Sequence, residues 1–186
     1  MPAAPSAVPS VFPSVGTPAI RRLVSATSEQ VQDLAALLID CVAGGASVGF
    51  MQPLPVDKAR AFWQSVADDV AAGTRALLVA EDGHGILGTV QLVLAQPDNQ
   101  PHRADLCKML VHRRARRHGV GAALMQAAED LARECGKSLL VLDTANDTAA
   151  RLYARQGWQR CGEIPSYALL PQGGLCATTF FYRWLK

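Results

Sequence analysis

The chain has 186 residues, 49% of them hydrophobic, and its 18 Lys and Arg against 16 Asp and Glu give a net charge of only +2. This length predicts a single domain with a substantial core, and the near-neutral charge excludes a global electrostatic attraction to nucleic acid or a membrane surface. The five cysteines form no CxxC pair and, with the four histidines, no metal-ligand spacing, which favours reduced thiols in a cytoplasmic protein without a metal.

Residues 1–18 differ in composition from the rest of the chain. They hold five of the eleven prolines and no charged residue. They also lack the basic start and the continuous apolar stretch of a signal peptide. We therefore expect a flexible tail at 1–18, followed by one domain at 19–186.

The remaining sequence alternates between short apolar runs and helical patterns. Thr27-Ser28-Glu29-Gln30 is a capping-box pattern that predicts the start of the first helix. An apolar strand, a glycine-rich turn, a helix and a buried strand then follow in the middle of the chain, which predicts a parallel crossover. The fold class is therefore α/β (or α+β), with a mixed sheet. Strands are predicted at 20–25, 76–81, 86–95, 104–111, 138–142, 158–163 and 176–185, and helices at 28–43, 56–72, 122–135 and 147–156.

The most informative segment lies between the fourth strand and the third helix, and reads Arg116-Arg117-His118-Gly119-Val120-Gly121-Ala122. Glycines let the backbone approach a ligand closely, and the N–H groups and positive end of a helix N-terminus attract phosphate. Four arginines and two histidines between His112 and His118 add positive charge. The spacing matches neither a Walker A motif nor GxGxxG. We expect a small phosphate-bearing ligand here, with a basic turn whose glycines serve packing as the alternative.

Two motifs resemble those of a known superfamily. Arg116-x-x-Gly119-x-Gly121 is similar to the pyrophosphate-binding motif of the GNAT superfamily of acyl-CoA-dependent N-acetyltransferases, and the segment from Asn146 through Tyr153 to Trp158 resembles its asparagine-to-aromatic segment. The resemblance implies a GNAT fold of about seven strands and four helices, with splayed fourth and fifth strands. It also implies acetyl-CoA as the acyl donor and no metal. The segments at 44–51, 103–105, 108–109, 142–144 and 162–167 extend the resemblance. On these segments the chain from residue 20 onward is similar, within the superfamily, to the tabtoxin resistance acetyltransferases, although the segment between Asp143 and Tyr153 is one residue shorter.

The resemblance assigns the donor site to the fourth strand, the glycine turn and the helices that follow. The strand backbone at 109–111 should bind the pantetheine arm and polarise the thioester, and the N–H groups at 117–122 should hold the pyrophosphate. Two interpretations remain open for Arg113 and Arg114: they form a solvated basic rim, or they contact the 3′-phosphate. The expected donor-binding residues are Met109, Leu110, Val111, Arg116, Arg117, His118, Gly119, Val120, Gly121, Ala122, Asn146, Ala149 and Tyr153.

Acetyl transfer to an amine needs a base for the amine proton and an acid for the leaving thiolate. Asp143 and Asp105 compete as the base, because an aspartate within an apolar strand is costly to bury without a role. A structural hydrogen bond is the alternative for each. We favour Asp143 as base and Tyr153 as acid, where a core position is the alternative for Tyr153.

The loop at 44–51 is the expected acceptor-binding element, because glycines on both sides of Ser47-Val48 suit a flexible lid. Ser47, Val48, Phe50 and Met51 are the expected contacts, and a packed helix–helix connection is the alternative. The predicted function is acetylation of a small amine, such as an amino-acid-like toxin or antibiotic. A protein or polyamine acceptor and a non-catalytic acyl-CoA sensor are the alternatives. We expect no nucleic acid or membrane partner, and a homodimer is left open.

Overall fold

A computed structural model describes residues 19–186, so the tail expected at 1–18 lies outside the described residues. The α/β class with seven strands and four helices is confirmed, and a short 3₁₀ turn at Arg113–Ala115 is added to the predicted order. The elements are β1 Ala19–Leu23, α1 Ser28–Ala43, α2 Val56–Ala71, β2 Arg75–Asp82, β3 Gly85–Val93, β4 Arg103–Val111, α3 Val120–Glu134, β5 Leu139–Thr144, α4 Asp147–Arg155, β6 Gln159–Leu169 and β7 Leu175–Trp184.

The helix bounds agree with the predicted ones to within two residues, because their ends carry local signals. At the start of α1, Thr27 Oγ1 accepts a bond of 3.2 Å from the Gln30 backbone N–H, and Gln30 Oε1 accepts one of 2.9 Å from the Thr27 N–H. These reciprocal bonds confirm the capping box and satisfy two N–H groups that the helix itself leaves unpaired.

The seven strands form one sheet in the order β1-β2-β3-β4-β5-β7-β6. Only β4 and β5 run parallel, and α3 connects them. They pair solely where Arg103–Asp105 faces Leu139–Val141, although β4 continues to Val111 and β5 to Thr144. The two strands therefore separate toward their carboxyl ends, which confirms the predicted splay.

A β-bulge in β4 accompanies this separation. The pairing of β3 with β4 shifts register between Thr89 and Gln91, which face Leu110 and Cys107. Lys108 lies within the bulge and adopts a left-handed φ of 49°. Since an extra residue bends its strand and increases the local twist, the bulge redirects β4 at the point where β5 leaves it.

Both faces of the sheet are buried. One core lies between the sheet and α3, with Leu87, Leu124 and Leu140 among its fully covered side chains. The other lies under α1 and α2 and includes Leu34 and Trp63. Covering both faces explains why β2 and β3 are nearly continuous apolar runs. No helix within residues 19–186 has the length and apolarity that a membrane crossing requires.

The predicted end of β6 at residue 163 is wrong, because the strand continues to Leu169. Pro165 suggests a strand end, but β6 is an edge strand, where a missing backbone N–H breaks no ladder bond. The register with β7 shifts between Ile164 and Ala168. The long β6–β7 hairpin thereby extends as far as the loop that joins α1 to α2.

Candidate active site

The separation of β4 from β5 opens a cavity of about 630 Å³, a size typical of small-molecule sites. Its walls come from β4, the turn before α3, the end of β5, α4 and the α1–α2 loop. Four predicted site residues do not line it: Phe50, Met51, Asp105 and His118. The predicted residues that do line it are Ser47, Val48, Met109, Leu110, Val111, Arg116, Arg117, Gly119, Val120, Gly121, Ala122, Asp143, Asn146, Ala149 and Tyr153.

Backbone N–H groups without an acceptor among residues 19–186 belong to the glycine turn at one end of the cavity. Gly119 is the N-cap of α3 and has a left-handed φ of 79°, a conformation that glycine adopts without strain. The first N–H of α3 to reach an acceptor is that of Ala123, which bonds to Gly119 O at 3.0 Å. The N–H groups of 120–122 therefore remain for a ligand, as expected at a helix N-terminus.

Gly121 is needed for close packing beside these groups. A Cβ on it would lie 3.2 Å from Leu152 Cδ2 and 3.5 Å from Met109 Cε. Without that atom, α3 approaches α4 and β4 closely beside the glycine turn.

The arginines before the glycine turn divide into two groups. Arg113 Nε lies 2.8 Å from Asp40 Oδ1, and Arg114 Nη1 lies 3.0 Å from Asp82 Oδ2. Burial opposes ionisation of Asp40, but the backbone N–H and guanidinium of Arg113 outweigh it, so the net pKa of that carboxyl is lowered. These two arginines hold the turn against α1 and the β2–β3 hairpin.

The other two arginines line the cavity, and neither forms an ion pair within residues 19–186. Arg116 Nε donates to Val111 O at 3.2 Å and so closes the turn back onto β4. Arg117 adopts a left-handed φ of 67°. The positive charge that the glycine turn itself offers a ligand therefore comes from these two side chains rather than from all four arginines.

Asn146 caps the first turn of α4 at the opposite wall. Its Oδ1 accepts from the N–H groups of Thr148 at 2.9 Å and Ala149 at 3.0 Å. The cap fixes the direction of α4, and the small Ala149 keeps this wall open where α4 meets the cavity.

Tyr153 lies on the buried side of α4, and only 4% of its surface is exposed. Its ring packs edge-on against Phe181 at 5.8 Å between centroids and beside Trp158 at 6.1 Å. Burial, and then the negative charge of Asp143, raise the pKa of the Tyr153 hydroxyl well above its usual value. The phenol therefore keeps its proton at neutral pH and is available as a donor.

Asp143 is exposed at the end of β5, so the premise that its burial requires compensation is wrong. Its Oδ2 accepts a bond of 2.7 Å from Thr178 Oγ1, a buried hydroxyl on β7. Asp143 and Tyr153 line the same cavity, so the base and acid candidates share one site. Thr178 was not predicted, because nothing near it in sequence marks a strand residue 35 positions away as a partner of Asp143.

Asp105 lies outside the cavity, at the end of β4 that still pairs with β5. Its carboxylate is ion-paired with Arg103 and accepts a bond of 3.1 Å from Gln96 Nε2. These contacts favour the structural alternative for Asp105.

The α1–α2 loop is packed, which favours the helix–helix connection over the expected lid. Gln52 N donates to Pro171 O at 2.9 Å, and Ser47 Oγ donates to Leu169 O at 3.3 Å, so the β6–β7 hairpin holds the loop. Phe50 packs edge-on against Phe62 at 5.2 Å, and Met51 is 44% exposed. Ser47 and Val48 are thus the predicted acceptor residues that line the cavity.

Two thiols also line the cavity, on Cys41 and Cys107. Burial raises the pKa of both, so they remain protonated and are weak nucleophiles at neutral pH. Within residues 19–186, no three His, Cys, Asp or Glu side chains converge as a metal site would.

Comparison with known families adds a sequence match to this geometry. The model of the acetyltransferase (GNAT) family matches residues 33–158. The matched range contains both the glycine turn and the segment from Asn146 to Trp158, which form two walls of the cavity.

Solved structures share the fold at low sequence identity. An N-acetyltransferase from Staphylococcus aureus Mu50 superposes with a TM-score of 0.75 at 18% identity, over 91% of this chain and 99% of that one. A ribosomal-protein-alanine N-acetyltransferase from Brucella melitensis gives 0.75 at 22% identity, over 90% and 99%. A phosphinothricin acetyltransferase from Sinorhizobium meliloti, in complex with acetyl-CoA, gives 0.74 at 16% identity, over 91% and 89%.

Proposed function

The chain belongs to the GNAT acetyltransferase family, and on this basis we propose that it transfers the acetyl group of acetyl-CoA to the amine of a small molecule. One observation carries the proposal. A single cavity brings the unpaired N–H groups of the glycine turn together with Asp143 and Tyr153. A phosphate-binding end and a proton-transfer end are what acetyl transfer from a nucleotide thioester requires.

The residues at the glycine turn fit acetyl-CoA. The N–H groups at 120–122, with Arg116 and Arg117, would hold the pyrophosphate. The edge of β4 at 109–111, where β5 does not pair with it, would bind the pantetheine arm beside the bond from Arg116 Nε to Val111 O. When bound, acetyl-CoA supplies an acyl carbon with a good leaving group.

Proton transfer then falls to two side chains. Asp143 accepts a proton from the acceptor amine, directly or through water, as the new N–C bond forms. Tyr153 donates its proton to the sulfur as the C–S bond breaks, which releases the thiol. Thr178 holds the Asp143 carboxylate through its 2.7 Å bond, and exchange with solvent restores both groups.

We propose an amino-acid-like toxin or antibiotic as the acceptor. The resemblance to the tabtoxin resistance acetyltransferases and the likeness to phosphinothricin acetyltransferases support this class. Asp143 is the sole carboxylate among the lining residues, which disfavours a polyamine because its additional ammonium groups would have no counter-charge. The fold likeness to a ribosomal-protein-alanine acetyltransferase keeps a protein N-terminus as the second candidate.

We further propose that the protein works in the cytoplasm as a partner of small molecules alone. All five cysteines are free thiols, which is typical of a reducing compartment.

A thiol-release assay tests the proposed function. Purified protein is given acetyl-CoA and a panel of amines that includes phosphinothricin, free amino acids, spermidine and a peptide beginning with alanine. We expect amine-dependent thiol release that is fastest with an amino acid or its analogue. Tight acetyl-CoA binding without release for any amine would support a non-catalytic acyl-CoA sensor instead.

A further inference from the structure

Resting on the proposed function, we propose that Lys108 binds a free carboxylate of the acceptor, so that the preferred acceptors are amino acids rather than peptides, amides or polyamines. Lys108 lines the same cavity as Asp143. The amine would lie at Asp143 and the carboxylate at Lys108.

The bulge in β4 directs Lys108 and Met109 to different sides of the cavity. Met109 packs against the core that includes α3, beside the glycine turn. Lys108 Nζ instead lies 5.7 Å from the ring centroid of Phe62 on α2, and 3.9 Å from where a Cβ on Gly49 would be. Lys108 therefore belongs to the side of the α1–α2 loop, away from the phosphate-binding end.

The Lys108 ammonium has no counter-ion in the part of the chain that the structure describes. It forms no ion pair within residues 19–186, and the 18 residues before them contain no Asp or Glu. The side chain is half-buried, so solvent only partly replaces a counter-ion. The face of Phe62 offsets part of this cost, since an aromatic ring attracts a cation, but it leaves the charge available to a ligand.

Lys108 differs in position from the other cationic side chains that line the cavity. Arg116 and Arg117 belong to the glycine turn, and Arg155 lies at the end of α4. On the acceptor side, Lys108 supplies the positive charge and Asp143 the negative charge. Such a pair is complementary to an α-amino acid, whose ammonium and carboxylate are held at fixed separation on one carbon.

This arrangement predicts discrimination as well as binding. A peptide N-terminus or a carboxamide offers Lys108 a neutral amide, so the half-buried ammonium gains no charge-assisted hydrogen bond. A polyamine would place a second cation near it. Specificity thus comes partly from an unfavourable interaction with the wrong acceptor.

Matched acceptor pairs test this inference by thiol release. Each free amino acid that the wild-type protein acetylates is compared with its own carboxamide. Amidation lowers the pKa of the amine and makes more of it nucleophilic at neutral pH, so a preference for the free acid must come from binding. We expect kcat/KM to be roughly 10- to 100-fold higher for the acid, the size of one charge-assisted hydrogen bond.

The variants separate charge from structure. Lys108→Met keeps an unbranched side chain at the strained φ, and should raise KM for the acid roughly 10- to 100-fold with little change in kcat or in the values for the amide. Lys108→Arg should recover part of the loss. Lys58 lies on the exposed surface of α2, outside the cavity, so Lys58→Met is the matched control. It should change neither kcat nor KM for either substrate.

Three results would overturn the inference in distinguishable ways. Equal kcat/KM for acid and amide in the wild-type protein would overturn it while the proposed function stands. An equal loss of kcat/KM for both substrates in Lys108→Met would show that Lys108 has only a structural role in the bulge. No thiol release with any amine would overturn the proposed function itself, and the inference with it.

Discussion

Asp143 is the residue on which the proposed chemistry depends most. Asparagine at this position would still accept the bond from Thr178 Oγ1 but could not take a proton. We therefore expect Asp143→Asn to lower kcat/KM at least ~100-fold, with acetyl-CoA affinity unchanged. Asp105→Asn is the matched comparison, because Asp105 lies outside the cavity and should retain most of the activity. Thiol release measures both, and a near-normal rate for Asp143→Asn would exclude it as the base.

Tyr153 is predicted to act in its protonated form. Burial and then the charge of Asp143 raise its pKa well above the usual value for tyrosine, so the rate should not fall through ionisation of Tyr153 as pH rises from 7 to 10. Tyr153→Phe keeps the ring between Trp158 and Phe181, and should lower kcat by roughly 10²- to 10⁴-fold at constant acetyl-CoA affinity. An unchanged pH–rate profile and kcat in the variant would leave Tyr153 only its packing role.

Single residues divide into those with a local sequence signal and those without one. Asp143 was predicted because it follows an apolar run at a strand end, and Tyr153 because the segment from Asn146 to Trp158 resembles a GNAT motif. The sequence left the role of Arg113 and Arg114 open, because their partners Asp40 and Asp82 are distant along the chain. Thr178 and Lys108 were missed because a cross-strand hydrogen bond and a β-bulge leave no periodic pattern in the sequence.

At the scale of elements, a buried polar network holds the end of α4. Glu129 of α3 accepts a bond of 3.0 Å from Trp158 Nε1, and its other oxygen lies 3.3 Å from Arg183 Nε of β7. Arg183 Nη1 also donates to Gln156 O at 2.6 Å. The guanidinium fills the space in which a Cβ on Gly157 would lie. The helix that carries Tyr153 is thereby tied to both α3 and β7.

Two glycine variants measure this packing. Gly73 and Gly157 have similar left-handed φ angles of 73° and 81°, but nothing lies within 4 Å of a Cβ on Gly73. Gly73→Ala should therefore cost only backbone strain, about 1 kcal/mol in free energy of unfolding. Gly157→Ala should cost about 1–3 kcal/mol more, because Arg183 must move. Urea denaturation gives both values, and equal losses would show that Arg183 adapts without penalty.

Elements whose ends carry local chemistry were predicted well. The capping box at Thr27 and the glycine after α3 are local signals, so they determine where these helices begin or end independently of tertiary contacts. The far end of β6 was missed because its continuation past Pro165 depends on its position at the sheet edge. Strand order and exposure belong to the assembled sheet, so no local pattern specifies them.

At the scale of the whole molecule, the site exists because three distant segments meet at one gap in the sheet. The order β4–α3–β5 follows from the sequence pattern and the crossover rule. The contact between the β6–β7 hairpin and the α1–α2 loop does not, because it joins residues more than 100 positions apart through backbone bonds such as Gln52 N to Pro171 O. The donor end was therefore predictable from motifs, and the acceptor end required the assembled fold.

The central claim is direct acetyl transfer to an amine within this cavity, without an acetylated cysteine. Since burial raises the pKa of Cys41 and Cys107, neither thiol is a good nucleophile at neutral pH. The most direct measurement follows isotope-labelled acetyl groups from acetyl-CoA by mass spectrometry, with and without an amino-acid acceptor. The account predicts label on the acceptor nitrogen and none on the protein in either case. Stable label on the protein without acceptor, or label recovered only as free acetate when acceptor is present, would contradict it.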